Sequence, residues 1–119
     1  MKTTGDIYEQ QAVQWIEKRG VRVLNRNFRR KTGEIDIIAV DGEYLVFIEV
    51  RSRAPSRFAV AAATVDRKKQ LRLVRTAQLF LQCNTALAHR PCRFDVIAFE
   101  SGRSDDVATP QWIRGAFTA

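Results

Sequence analysis

Gly33-Glu34-Ile35-Asp36-Ile37-Ile38-Ala39-Val40, Asp41-Gly42, and Glu43-Tyr44-Leu45-Val46-Phe47-Ile48-Glu49-Val50-Arg51-Ser52-Arg53 form the stretch that decides the fold. Two runs rich in β-branched residues flank an Asp-Gly pair, which accepts the positive φ angles of a type I′ turn, so the stretch predicts a β-hairpin. With Asp41 and Gly42 as the loop, Val40 faces Glu43, Asp36 faces Phe47 and Glu34 faces Glu49. Alternation then puts Ile35, Ile37, Ala39, Tyr44, Val46, Ile48 and Val50 on one apolar face. The other face carries Glu34, Asp36, Ile38 and Val40 beside Leu45, Phe47, Glu49, Arg51 and Arg53. Asp36 and Glu49 become diagonal neighbours, about 7–8 Å apart by backbone and within side-chain reach of a single ion.

A helix is expected before the hairpin, from about Gly5 to Arg19, because Tyr8, Ala12, Val13, Trp15 and Ile16 recur at helical spacing and Gly20 is a natural stop. Glu9 falls between Ala12, Val13 and Ile16. Either it is buried and must meet a cation, a metal or a hydrogen-bond donor, or it sits half exposed at the rim, favoured by the helix dipole. Val21 to Phe28 is a short strand edged with arginines. Beyond the hairpin, Ala54 to Ala63 is a loop. A second helix is expected from about Thr64 to Gln82, with Leu71, Val74, Ala77, Phe80 and Leu81 buried and Lys68, Arg72 and Arg75 on another face. Gln70 points inward or to the edge of the stripe. After a turn from Asn84 to Pro91, Arg93 to Phe99 is a buried strand and Gln111 to Phe117 an optional last one. The order is that of an α/β sandwich with a mixed sheet flanked by helices. With 119 residues and no repeat or linker, one domain over residues 1–119 is expected.

Charge narrows the function. Lys and Arg number 20 against 13 Asp and Glu, a net charge of +7, and the excess is clustered. Lys18, Arg19, Arg22, Arg26, Arg29, Arg30 and Lys31 follow one another without an acid. So do Arg67, Lys68, Lys69, Arg72 and Arg75 on the second helix. Such a surface attracts phosphate polyanions, and the preponderance of arginine favours phosphate further, so nucleic acid is the first partner expected. A generic solubilising surface and an acidic membrane face are the other options. No stretch is apolar enough for a membrane span and no signal core opens the chain, so a cytoplasmic protein with no membrane partner is expected. His89, the sole histidine, excludes the usual zinc and Ser-His-Asp chemistries and is expected in a surface loop. Cys83 and Cys92 match no metal spacing; they are expected to be reduced, with packing roles.

Carboxylates clustered at Glu34, Asp36 and Glu49 repel one another, so something positive must sit among them. One solution is a cross-strand ion network with Arg51 and Arg53, which is common on sheets. The other is a hard divalent cation such as Mg²⁺, which takes one or two carboxylates and completes its shell with water and substrate phosphate.

Gly33 to Ala39, Phe47-Ile48-Glu49-Val50-Arg51-Ser52-Arg53 and Arg93-Phe94-Asp95-Val96 together resemble the YraN-type uncharacterised protein family. The resemblance covers nearly the whole chain, from Gly5 and Glu9 to Trp112-Ile113-Arg114-Gly115-Ala116-Phe117. That family is similar to the PD-(D/E)xK nucleases and, among them, the archaeal Holliday-junction resolvases. The resemblance implies a restriction-endonuclease-like α-β-β-β-α-β core and a metal-dependent endonuclease acting on DNA, branched DNA included. It matches Asp36 to the first acid, Glu49 to the second and Glu9 to the first-helix acid, all three on Mg²⁺ or Mn²⁺. Arg51 occupies the position usually held by lysine, where it would contact the scissile phosphate, although its very high pKa makes it a poor general base. Arg53, Lys68, Lys69, Arg72 and Arg75 would hold the flanking backbone, with Glu34 and Gln70 as accessory groups. A homodimer, with Phe58 or Trp112 at its interface, would follow from the same kinship. Two alternatives remain: a nucleic-acid-binding module without turnover, and a basic domain that binds an acidic protein.

Overall fold

A computed structural model describes residues 4–53, 65–100 and 110–118. Helix α1 (Thr4–Glu17) is followed by strands β1 (Arg22–Arg30), β2 (Gly33–Asp41) and β3 (Tyr44–Arg53). Helix α2 (Arg67–Cys83) then leads through a 3₁₀ turn to β4 (Cys92–Glu100) and β5 (Gln111–Phe117). The five strands form one mixed sheet in the order β1-β2-β3-β4-β5, antiparallel except for the β3–β4 pair. A parallel pair needs a crossover, and α2 lies within it. The architecture is α/β and consistent with the restriction-endonuclease-like core expected from the sequence, with β5 as an added edge strand.

Strand periodicity sends alternate residues to opposite faces, and each face has its own helix. On one side, Ala12, Val13 and Ile16 of α1 pack with Ile37, Ala39, Val46, Ile48, Ile97 and Phe99. On the other, Leu73, Ala77 and Phe80 of α2 pack with Phe28, Ile38, Leu45, Phe47, Phe94 and Val96. Phe80 meets Phe28 edge-on at 5.3 Å, and Phe47 stacks on Phe94 at the same distance.

The hairpin forms one residue later than expected. Asp41 pairs with Tyr44, so the loop is Gly42-Glu43, and the whole pairing moves by two positions to Ile37 opposite Ile48 and Val40 opposite Leu45. Gly42 has φ +61 whereas Glu43 is not in the left-handed region, the pattern of a type II′ turn with glycine first. Asp41 is drawn out of the loop because Arg93 of β4 holds its carboxylate at 2.8 Å. A shift of two keeps every side chain on its expected face, with one exception. Ile35 joins the α2-side cluster while Ile37 joins the α1-side cluster, so the alternation of β2 breaks at Asp36.

Helix α2 begins at Arg67 instead of Thr64, because Asp66 caps it by accepting from the Lys69 amide at 2.8 Å. Thr64 and the Ala54–Ala63 loop, Phe58 included, lie outside the described residues. The buried stripe runs through Leu73, Thr76, Ala77 and Phe80, and Leu71 is exposed. Thr76 is tolerated inside because its hydroxyl donates to the Arg72 carbonyl at 2.9 Å and shares a 2.6 Å hydrogen bond with Thr32. Cys83 and Cys92 are free and exposed, which corrects their packing role; each ends up at a helix or strand terminus, where the side chain meets solvent. His89 is exposed, as expected. Among the described residues, no helix is long and apolar enough to cross a membrane.

Candidate active site

β2 and β3 are paired from Asp41/Tyr44 only as far as Ile37/Ile48. One rung further, Asp36 and Glu49 would stand opposite each other, but the strands part. The Val50 amide donates instead to the Asp36 carboxylate at 2.8 Å. Across the sheet on the other side, the β1 register places Asn27 opposite Asp36, and Asn27 takes φ +56. A left-handed residue in a strand is a local irregularity, which asparagine accepts more readily than most. β2 therefore carries Asp36 beside a gap on its β3 side while it stays in register with β1.

Two clefts meet at this gap. One of about 550 Å³ opens on the α1 side and is lined by Glu9, Asn27, Arg29, Glu34, Asp36 and Val50, among others. A second of about 440 Å³ opens on the α2 side, with Lys31, Glu34, Asp36, Glu49, Lys69 and Arg72 in its wall. Glu34 and Asp36 belong to both, whereas Glu9 faces only the first and Glu49 only the second.

Each glutamate has its own cation. Glu9, 6% exposed, lies 3.4 Å from Arg26, which also donates to Gln10 at 2.8 Å. Burial raises its pKa despite Arg26 and a hydrogen bond from Asn27. The inward placement of Glu9 is thus borne out, and a cation meets it. Glu34 is bridged by Arg29 at 2.7 Å. Glu49 is paired with Lys69 of α2 and lies 3.6 Å from Arg51, while its buried Oε2 has no hydrogen-bond partner among the described residues.

Asp36 differs from the three glutamates. Burial pushes its pKa up to about 7, the Val50 amide opposes this, and the negative charges of Glu49, Glu9 and Glu34 raise it further. The residue with the most strained ionisation is the one at the meeting point of both clefts.

The remaining expected residues divide. Arg72 lines the α2-side cleft. Lys68 and Arg75 are exposed on α2, and Arg53 is exposed at the end of β3, donating to the Ser52 carbonyl at 2.8 Å. Gln70 donates to the Val65 carbonyl at 2.7 Å, tying the start of α2 to the chain before it. Arg26, Arg29 and Asn27 were missed by sequence reasoning. Their signal was present: an asparagine interrupting a strand, with arginines one residue before and two after it.

Among the described residues no group of three or more His, Cys, Asp or Glu is arranged so as to hold a metal ion. The donor chemistry nevertheless suits a hard cation. Asp36 and Glu49 offer carboxylate oxygens, one of them buried without a hydrogen bond, in a setting whose charges disfavour ionised Asp36.

The model of the uncharacterised protein family UPF0102 matches residues 8–99. The chain belongs to this family. A UPF0102 protein of Pseudomonas syringae is 46% identical over 106 residues, covering 89% of this chain and 85% of that protein. One from Alcanivorax borkumensis is 44% identical over 116 residues, covering 98% and 92%. A third, from Klebsiella pneumoniae, is 44% identical over 117 residues, covering 98% and 87%. The UPF0102 match runs from Tyr8 in α1 to Phe99 in β4 and so contains Glu9, Glu34, Asp36, Glu49, Arg51 and Lys69.

Proposed function

We propose that this UPF0102 protein is a metal-dependent nuclease acting on DNA phosphodiesters, branched DNA among them, with Asp36 and Glu49 as its central acids. One observation carries the proposal: Asp36 sits where β2 and β3 part, among three glutamates, at the junction of two clefts bordered by cations. Carboxylates are expensive to gather in this way. Arg26, Arg29 and Lys69 each offset one glutamate, and a cation that joins during function would offset Asp36 among them.

Asp36 and Glu49 would hold Mg²⁺ or Mn²⁺, with Glu9 approaching from the α1 side. A bound ion of this kind lowers the pKa of water and offsets charge on a phosphate in hydrolysis. The chain's own residues would do the rest. The Val50 amide fixes the orientation of the Asp36 carboxylate, and Arg26 and Arg29 hold Glu9 and Glu34 in place. Arg72, Lys31, Lys68 and Arg75 would bind backbone phosphates on either side of the scissile bond, as point contacts that carry no sequence information. A cytoplasmic location and a working homodimer fit this reading.

A second reading is supported by Arg51, an arginine held against Glu49 where the resemblance implies a lysine: a module that binds nucleic acid without cutting it. The test is a cleavage assay on linear, single-stranded and branched DNA with Mg²⁺ or Mn²⁺, comparing the native chain with Asp36→Ala. Metal-dependent cutting that disappears in the variant is expected. Salt-sensitive binding without cutting would favour the second reading, and failure to bind at low salt would leave a protein partner.

A further inference from the structure

Two cations touch Glu49, and they are not equivalent: Lys69 lines the α2-side cleft, whereas Arg51 is not in its wall. Arg51 is sunk, with 9% of its side chain exposed, and its guanidinium lies against Glu49 at 3.6 Å. Lys69 reaches the same carboxylate from α2 with 39% of its side chain exposed, and it shares the cleft with Asp36. A polymer approaching from solvent meets Lys69 first.

The position of Lys69 in its helix is also unfavourable unless something compensates. Arg67, Lys68 and Lys69 occupy the first turn of α2, where no acid is present. The helix dipole makes that end positive, so cations there oppose helix stability. Asp66 offsets this in part by capping the Lys69 amide at 2.8 Å, which also fixes the backbone from which Lys69 reaches into the cleft. An anion arriving at this end would be doubly favoured.

We infer that Lys69 is the cation that faces the scissile phosphate, and that Arg51 is a buried counter-charge that positions Glu49. The inference rests on the nuclease reading above. In the reaction, a water oxygen forms the new bond to phosphorus as the bond from phosphorus to the leaving sugar oxygen breaks. One water proton passes to solvent, and the leaving oxygen takes one from solvent. Negative charge builds on the non-bridging oxygens, and the Lys69 ammonium hydrogen-bonds to one of them. Its preference for the transition state over the bound substrate is what raises the rate.

The test combines steady-state cleavage of a DNA substrate with Mn²⁺ titration calorimetry of the DNA-free protein, on the native chain, Lys69→Ala and Lys68→Ala. Removing one such donor is expected to lower kcat about 100-fold or more in Lys69→Ala, with KM changed less than kcat. Mn²⁺ affinity is expected to hold or rise, since a competing cation has left Glu49. Lys68→Ala, which removes a backbone contact, is expected to raise KM with kcat kept. A Lys69→Ala protein that cuts at the native rate overturns the assignment alone. So does one that loses Mn²⁺ affinity in step with kcat, because Lys69 would then only support the acids. A native chain that cuts nothing overturns the nuclease reading and this assignment with it.

Discussion

Asp36 is kept in the fold against its own ionisation. Its pKa rises from an ordinary 3.8 to about 7, so between those values the folded chain holds a proton that the unfolded chain has released. Folding then takes up a proton, and stability falls as pH rises through that window. By the usual conversion the full penalty is on the order of 4 kcal/mol at most at pH 8. Asp36→Asn, which still accepts from the Val50 amide, is expected to be more stable than the native chain at pH 8 without metal. The gain should vanish near pH 4, as urea unfolding at the two pH values would show. At this scale the sequence brought out Asp36, Glu49 and Glu9 as candidate acids, because they stand out against apolar surroundings. It did not reveal their partners. Arg29 reaches Glu34 across five positions through the β1–β2 pairing, and Arg26 reaches Glu9 of α1 across 17, contacts that no local pattern announces.

Among the elements, β4 and β5 are joined by an acid outside the candidate site. Asp95 is 1% exposed and accepts from the Arg93 side chain at 3.0 Å, Trp112 Nε1 at 2.8 Å and the Gly115 amide at 2.9 Å. Arg93 continues to Asp41 at the hairpin turn, so one network ties β2, β4 and β5. Asp95→Ala strands these donors and is expected to cost about 3–5 kcal/mol in urea unfolding. Asp95→Asn, which retains an acceptor, should cost less, and equal losses would count against the network. This network also explains why the hairpin turn was misplaced by one residue. Asp-Gly is a strong local turn signal, but Arg93, some fifty residues away, claims Asp41 and leaves Gly42-Glu43 as the loop. The faces survived the error because pairing moved by two, and side-chain period is two. In α2 the stripe was misread for a related reason. Leu71 was expected inside and is exposed, while Thr76, absent from the expected stripe, is buried because its hydroxyl bonds Thr32 and the Arg72 carbonyl.

At the scale of the whole molecule, the chain carries a net charge of +7, and described cations border an acidic centre. Exposed Arg22, Arg29 and Arg30 lie on β1 and exposed Lys68, Arg72 and Arg75 on α2, with Arg29 and Arg72 in the walls of the two clefts that share Asp36. On the nuclease reading, DNA binding should weaken linearly in log K against log salt, and Arg72→Ala should reduce that slope by about 1 across all sequences tested. The fold class was legible because periodicity and element order survive without tertiary detail. The split of the site into two clefts was not, since it depends on where two strands part. Asp36 costs stability when it ionises and, on the nuclease reading, serves as a metal ligand, and Asp36→Asn tests both at once. Cleavage of DNA at pH 8 with Mn²⁺, set beside metal-free urea unfolding of the same preparations, is predicted to give a variant that is more stable than the native chain and does not cut. A variant that still cuts with Mn²⁺, or one that is inactive because it is less stable, would contradict the account.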